Sequence, residues 1–169
     1  MRARLITLSL IVLTVAMFRL LPHPPNVSPV AALALFGGAY FSDKRLAFLV
    51  PLLALFLSDL LIGLHDTMLF VYAGFAMTVM IGFWISKNRS GARILTGVFS
   101  STLLFYLVTN FGSWLSHGMY PLTAEGLLQA YVAGIPFLHY SLIGNLVFSA
   151  LLFGGYALLR RSYPSLAEA

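Results

Sequence analysis

A carboxylate, two carboxamides, a phenol, an indole and an imidazole stand in or beside stretches of this chain that are otherwise apolar: Asp59, Asn110, Asn145, Tyr72, Trp114 and His117. A carboxamide both donates and accepts, so Asn110 and Asn145 together suit a neutral heterocycle or a hydroxylated solute, with Tyr72 and Trp114 as flat apolar walls. Asp59 brings a negative charge that needs a partner, on a ligand or on Arg19. These are groups for binding. No two-histidine helical zinc motif, glycine-rich phosphate loop, facing pair of intramembrane carboxylates or serine-centred elbow is present, so no catalytic residue is assigned and an enzyme is not expected. With no cysteine there is no thiolate metal site and no thiol nucleophile. His23, His65, His117 and His139 sit apart from one another and read as solvated interface imidazoles, so neither a metal nor a cofactor is expected.

The elements that position these groups must lie in lipid. Of the 169 residues 60% are hydrophobic and 9% charged, against roughly 45–50% and about 25% in soluble domains. Too few charges exist to wet a surface of that size. The net charge of +5 does not point to nucleic acid, because the basic residues punctuate long apolar runs instead of clustering on a polar face. Breaks at charges, prolines and glycines leave apolar segments near Leu5–Leu21, Pro29–Phe41, Leu46–Leu64, Met68–Ser86, Ile94–Leu115 and Pro136–Leu159. The expected fold is all-α: one integral membrane domain over residues 1–169, a bundle of six transmembrane helices. A crossing takes about 20 residues, so the second segment is short and needs its neighbours to cover its ends.

Positive charge collects on cytoplasmic flanks. With six alternating spans, Arg2, Arg4, Lys44, Arg45, Lys87, Arg89, Arg93, Arg160 and Arg161 share one side and Arg19 alone does not. Five spans would put Arg160 and Arg161 outside. The reading is a multi-pass protein of the bacterial inner (plasma) membrane with both termini cytoplasmic. Residues Met1–Met17 resemble a secretory signal in charge and apolar core, but no small-x-small site followed by a polar start closes that pattern, so they are taken as the first span. Ser28 and Pro29 suit the cap and first turn of the second helix; Asn26-Val27-Ser28 also matches a glycosylation sequon, to which no weight is given. The one long loop, His117–Ile135, is expected to hold a short amphipathic outer-face helix, starting at Thr123, carrying Leu127, Leu128, Tyr131 and Val132, and ended by Gly134 and Pro136. It is either a connector on the headgroups or a lid.

Helix rise fixes depth. Asp59 lies fourteen residues beyond Arg45, Asn110 seventeen past Arg93 and Asn145 fifteen before Arg160, which at about 1.5 Å per residue puts all three in the outer half. Arg19 lies at similar depth and either pairs with Asp59 or snorkels to the outer headgroups. Tyr72, Trp114, His117, His139 and Tyr140 fall on the same side, while the inner halves carry only hydroxyls that bond their own backbone. A polar layer at one depth is either a ligand cavity or interhelical glue with an aromatic belt. Ala34, Gly38 and Gly37, and again Gly154 and Gly155, mark close helix approach; Leu35-Phe36-Gly37-Gly38 recurs as Leu152-Phe153-Gly154-Gly155, either a trace of a three-helix repeat or plain packing.

The run Leu21-Pro22-His23-Pro24-Pro25-Asn26, then Pro29, Ala32-Leu33-Ala34-Leu35-Phe36-Gly37-Gly38-Ala39, Pro51 and Ser58-Asp59 resembles a family of uncharacterised bacterial integral membrane proteins of about this length. More distantly, six helices with cytoplasmic termini, a cramped second segment and an outer polar layer resemble the substrate-binding S components of energy-coupling factor (ECF) vitamin transporters. That likeness implies a small vitamin or related solute bound from outside, with energy supplied by a partner transmembrane subunit and ATPases. S components typically dock through an Ala-x-x-x-Ala pair on the first helix, which Leu5–Leu21 lacks; Ala34 and Gly38 are a near substitute on the second. Solitary cobalamin carriers of that group use a cysteine that this chain does not have. The expectation is a substrate-binding membrane transporter subunit in contact with the lipid bilayer and a small-molecule substrate. The alternative is a non-transporting membrane scaffold or assembly factor whose polar layer only packs helices.

Overall fold

The computed structural model describes residues 2–22, 24, 26–116, 118–163 and 166. Among them every regular element is helical: α1 (Arg2–Ala16), tightened into a 3-10 turn at Met17–Leu20, α2 (Val30–Tyr40), α3 (Lys44–Ile62), α4 (Met68–Ser86), α5 (Gly91–Ser116), α6 (Ala124–Ser149), a π-helical turn (Ala150–Gly154) and α7 (Gly155–Ser162). Five rods are long and apolar enough to cross a membrane: Ala3–Leu20, α3, α4, α5 and the continuous stretch Ala124–Ser162. Large apolar side chains such as Leu10, Leu61, Leu69, Leu103, Leu128 and Leu151 are exposed on these rods, as lipid-facing surfaces require.

The second segment is not a sixth rod of this kind. The eleven residues of α2 extend only about 16 Å, and ten of them, from Val30 and Ala32 to Tyr40, are buried. It stands as a short post with the longer helices around it. Small residues make that possible. A Cβ built on Gly38 would lie 2.2 Å from the Val79 carbonyl oxygen, and one on Gly82 would lie 2.5 Å from that of Leu35, so α2 and α4 touch backbone to backbone. The adjacent Gly37 faces the other way, onto the Pro51 ring and the Ala47 carbonyl of α3.

One end of the bundle is ringed with arginine. Arg4 donates to the Tyr40 carbonyl at 2.6 Å and Arg89 to that of Ala39 at 2.9 Å, supplying donors for the last turn of α2, whose carbonyls have no helical partner. The Arg89 and Arg160 guanidinium groups lie 4.7 and 5.6 Å from the Tyr40 ring centre. The start of α1, the end of α2, the α4–α5 turn and α7 therefore meet at the same end. At the other end of α2, the Ser28 hydroxyl is 3.5 Å from the Val30 amide and the Pro29 carbonyl accepts from Leu33 at 2.8 Å, the local chemistry the sequence suggests.

The last third of the chain departs from expectation. Thr123 does cap a helix, accepting from the Gly126 amide at 3.2 Å, but that helix neither lies apart on the outer face nor stops at Gly134 and Pro136. It passes through Pro136 and runs on to Ser162, so the segment expected from residue 136 begins at Ala124. The reason is a count of backbone groups. Proline frees one carbonyl, whereas ending a helix and starting another exposes four carbonyls and four amides, which is worse in lipid. Gly154 and Gly155 also differ from the sequence reading. Neither has an atom within 4 Å of a built Cβ, so they face outward and do not form a packing face; Leu152 and Phe153 turn inward, Phe153 edge-on to Phe36 at 5.5 Å.

The Gly38–Gly82 crossing makes a direct prediction. Gly38→Ala should lower stability by about 1–3 kcal/mol, the cost of overpacking a tight contact, because backbone and not a movable side chain fills the space. Gly154→Ala should change it by no more than about 0.5 kcal/mol. Thermal unfolding in detergent, followed by circular dichroism, checks both.

Candidate functional site

Arg19 and Asp59 form an ion pair, Nη1 to Oδ1 at 2.5 Å. Asp59 is completely buried, whereas 18% of the Arg19 side chain is exposed. The same Nη1 donates to the Ser58 hydroxyl at 2.5 Å and faces the Leu55 carbonyl at 3.4 Å. Tyr72 donates its hydroxyl to the other oxygen of Asp59, Oδ2, at 2.8 Å. The 3-10 turn ending α1 thus delivers a cation to a carboxylate on α3 that α4 holds from the opposite side. Arg19 pairs here and does not simply snorkel, which accounts for the one basic residue that breaks the charge pattern. A lone buried carboxylate would be costly in lipid; this one is shared by two side chains, one from the 3-10 turn and one from α4.

Beside the pair, at the end opposite the arginine ring, lies a cavity of about 510 Å³. Its walls come from α3, α4, α5 and α6, with Ser28, Val30 and Ala31 at the start of α2, and with Asn26, His65, Met119 and Tyr120 from connecting segments. Arg19 and Asn110 line it; Asp59 and Tyr72, though bonded to one another, do not. Phe75, Phe105 and Phe137 supply apolar surface. The stretch expected as a connector or lid is instead a wall, through Met119, Tyr120, Ala130, Ala133 and Gly134. Gly134 is needed there: a built Cβ would lie 2.3 Å from Asn110 Oδ1. The Asn110 amide nitrogen bonds the Tyr106 carbonyl of its own helix at 2.8 Å, leaving the oxygen as its uncommitted acceptor among the described residues.

The remaining candidates lie elsewhere. Asn145 does not reach the cavity. Its nitrogen donates to Ser101 and Thr102 hydroxyls at 3.1 and 2.9 Å and approaches the Val98 carbonyl at 3.3 Å, while its oxygen accepts from Ser149 at 3.3 Å. Both polar atoms of that amide are spent, the nitrogen tying α6 to α5 and the oxygen taken up within α6. Its partners sit only five to nine residues past Arg93, so counting back from Arg160 along a 39-residue rod overstated its distance from the arginine end. Trp114 donates to the Pro121 carbonyl at 2.9 Å and pins the α5–α6 turn. His139 and Tyr140 stack at 4.2 Å on an exposed face. His65 Nδ1 is 2.9 Å from the Thr67 hydroxyl. His117 and His23 lie outside the described residues. Among the described residues no three His, Asp or Glu side chains gather as a metal site would require.

Sequence reasoning passed over a stripe it had the means to find. Tyr106, Thr109, Asn110 and Ser113 all line the cavity, and their spacing of i, i+3, i+4 and i+7 is that of one helical face. Tyr106 also ties α5 to α6, donating to the Tyr131 carbonyl at 2.5 Å, while Tyr131 returns a bond to Leu107 at 3.1 Å.

Residues 1–166 match the model of a family of unknown function (DUF6580), and the chain belongs to that family. No curated protein and no solved structure matches it. The kinship with an uncharacterised family of about this length is thereby shown; no match links the chain to ECF S components.

The ion pair can be tested by a double-mutant cycle. Asp59→Leu or Arg19→Met alone should cost up to about 3–5 kcal/mol, because each strands a charge, and the double variant should lose less than the sum. Tyr72→Phe should cost about 1–3 kcal/mol by removing a hydrogen bond to a buried carboxylate. Additive losses in the cycle would show that the two charges do not support one another.

Proposed function

We propose that this protein is a substrate-binding membrane transporter subunit of the bacterial inner membrane, taking up a small solute from the outer side. The observation that carries the reading is the cavity of about 510 Å³ at one end of the bundle. Its volume falls in the range of about 300–1,000 Å³ typical of small-molecule sites. It combines three phenylalanine rings with a few placed polar groups, Arg19, Asn110 and the Tyr106–Ser113 stripe, as such sites do. A scaffold has no use for unfilled space of this size, since voids cost packing energy. The Asn145 cluster is the part of the polar layer that fits the scaffold alternative.

Orientation rests on the positive flank. Arg4, Arg89 and Arg160 converge at the end remote from the cavity, and basic residues favour the cytoplasm. Both termini are then cytoplasmic and the cavity faces out. An ECF-type energising subunit with its ATPases belongs to this proposal as the partner of a vitamin-binding subunit. It would have to dock away from Ala34 and Gly38, which are buried, with Gly38 held against α4.

Two measurements test the reading. The purified chain should be stabilised by a member of a vitamin panel, by about 2.7 kcal/mol at 100 times its dissociation constant. Asn110→Leu should abolish that shift and Asn145→Ala should spare it; a panel without effect favours the scaffold. Because the native chain has no cysteine, single cysteines report topology directly. Those replacing Asn26, Asp66 and Gly118 should react with an impermeant thiol reagent in intact cells, and those replacing Lys44, Lys87 and Ser162 should not.

A further inference from the structure

Resting on the solute-binding reading above, we infer that the ligand of this cavity is a small organic carboxylate, received by the edge of the Arg19 guanidinium that Asp59 leaves free. Four lining residues among those described can titrate, Arg19, His65, Tyr106 and Tyr120, and none of them is a carboxylate. Asp59, which the sequence offers as a counter-charge for a cationic ligand, is fully buried, outside the lining, and engaged at both oxygens, Oδ1 by Arg19 and Oδ2 by Tyr72. The charge that the cavity meets is therefore the positive end of the pair.

The bonding of Arg19 leaves a receptor of defined shape. Its contacts to Asp59, Ser58 and Leu55 all use Nη1. Among the described residues Nη2 and Nε have no partner, and their donors form a planar fork matched to two oxygens of one carboxylate. Ser58 and Leu55 hold the guanidinium in place before any ligand arrives, so less ordering is left to be done on binding.

A second feature carries the same sign. The first two residues of α2, Val30 and Ala31, line the cavity together with Ser28 just before them. The first amides of a helix have no helical acceptor, and the axis dipole places partial positive charge there. Ser28 covers the Val30 amide; that of Ala31, which lines the cavity, remains for a ligand. A cation would meet Arg19 and this helix end together. A neutral solute would leave the guanidinium fork unmatched in a partly dry site. A phosphate ester carries about two charges near neutrality, against one guanidinium already shared with Asp59. A single carboxylate on a body that packs against Phe75, Phe105 and Phe137 meets the charge, the fork and the walls at once.

The test uses the full chain in phosphatidylcholine nanodiscs at constant ionic strength. Acids are paired with their amides, acetate with acetamide, butyrate with butyramide and benzoate with benzamide, and methyl phosphate is added as a further arm. Binding is read from the unfolding midpoint and by calorimetry. Each acid should stabilise more than its amide, with a preference of about tenfold or more for the best pair. Asp59→Asn, which removes the competing carboxylate, should strengthen acid binding. Because a single Arg19 variant strands Asp59, the paired variant R19M/D59L is used to remove both charges, and it should erase the preference while keeping the helical fold. Amides binding as well as acids, methyl phosphate binding better than any acid, no acid binding at all, or an acid preference surviving in the paired variant would each overturn the inference. Where a neutral compound binds wild type equally well, solute binding itself stands and only the charge class falls.

Discussion

Two backbones in contact set the dimensions of this molecule. Where Gly38 meets Gly82 there is no room for even one methyl group, and that closeness lets an eleven-residue helix be enclosed by rods of 18 to 39 residues. Burying a short post among long rods has a geometric result. Above its first residues the neighbours continue and the post does not, and the cavity lies there, with Ser28, Val30 and Ala31 in its lining. The shortness of α2 makes it a poor span, and the same shortness leaves the space beside Arg19.

Polar residues in this lipid-suited chain meet three fates, and lining the cavity is only one. Asp59 is consumed by charge pairing and a phenol. Asn145 is consumed by hydroxyls and a carbonyl of the neighbouring helix. Asn110, whose nitrogen is satisfied by its own helix, keeps an oxygen at the cavity wall. Residue type is alike for the two asparagines; they differ in depth and in what faces them across the α5–α6 contact, Gly134 in one case and a serine–threonine pair in the other.

That difference marks where a single sequence stops being informative. The membrane class, five of the six segments with their approximate bounds and the shared end of the basic residues follow from charge and helix rise, which act locally and which leave the Arg19–Asp59 pair as one of two readings. Asn145 lies nearer the arginine end than its count from Arg160 implies, because depth along one helix is not depth in the bundle when rods differ in length. Pro136 read as a stop because in water it usually is one; a lipid-exposed break is costlier than one freed carbonyl. The cavity stripe on α5 was legible but diluted, since Tyr106, Thr109 and Ser113 each have ordinary reasons to sit in a helix and only their common face sets them apart. The partner of Gly38 was not legible, because Gly82 is more than forty residues away and nothing in either local pattern names the other.

The arginine ring around Tyr40 bears on how the protein is made. Tyr40 leaves the ribosome early, whereas Arg89 follows about fifty residues later and Arg160 about one hundred and twenty later, which at about 5–20 residues per second is a delay of several seconds or more. Through that interval a helix too short to hold itself across the bilayer has Arg4 on its last carbonyl but neither the Arg89 donor nor the Arg160 guanidinium over the Tyr40 ring. Its anchorage in the finished bundle is completed only when α7 is synthesised, so assembly of this protein is a process that Arg160 closes.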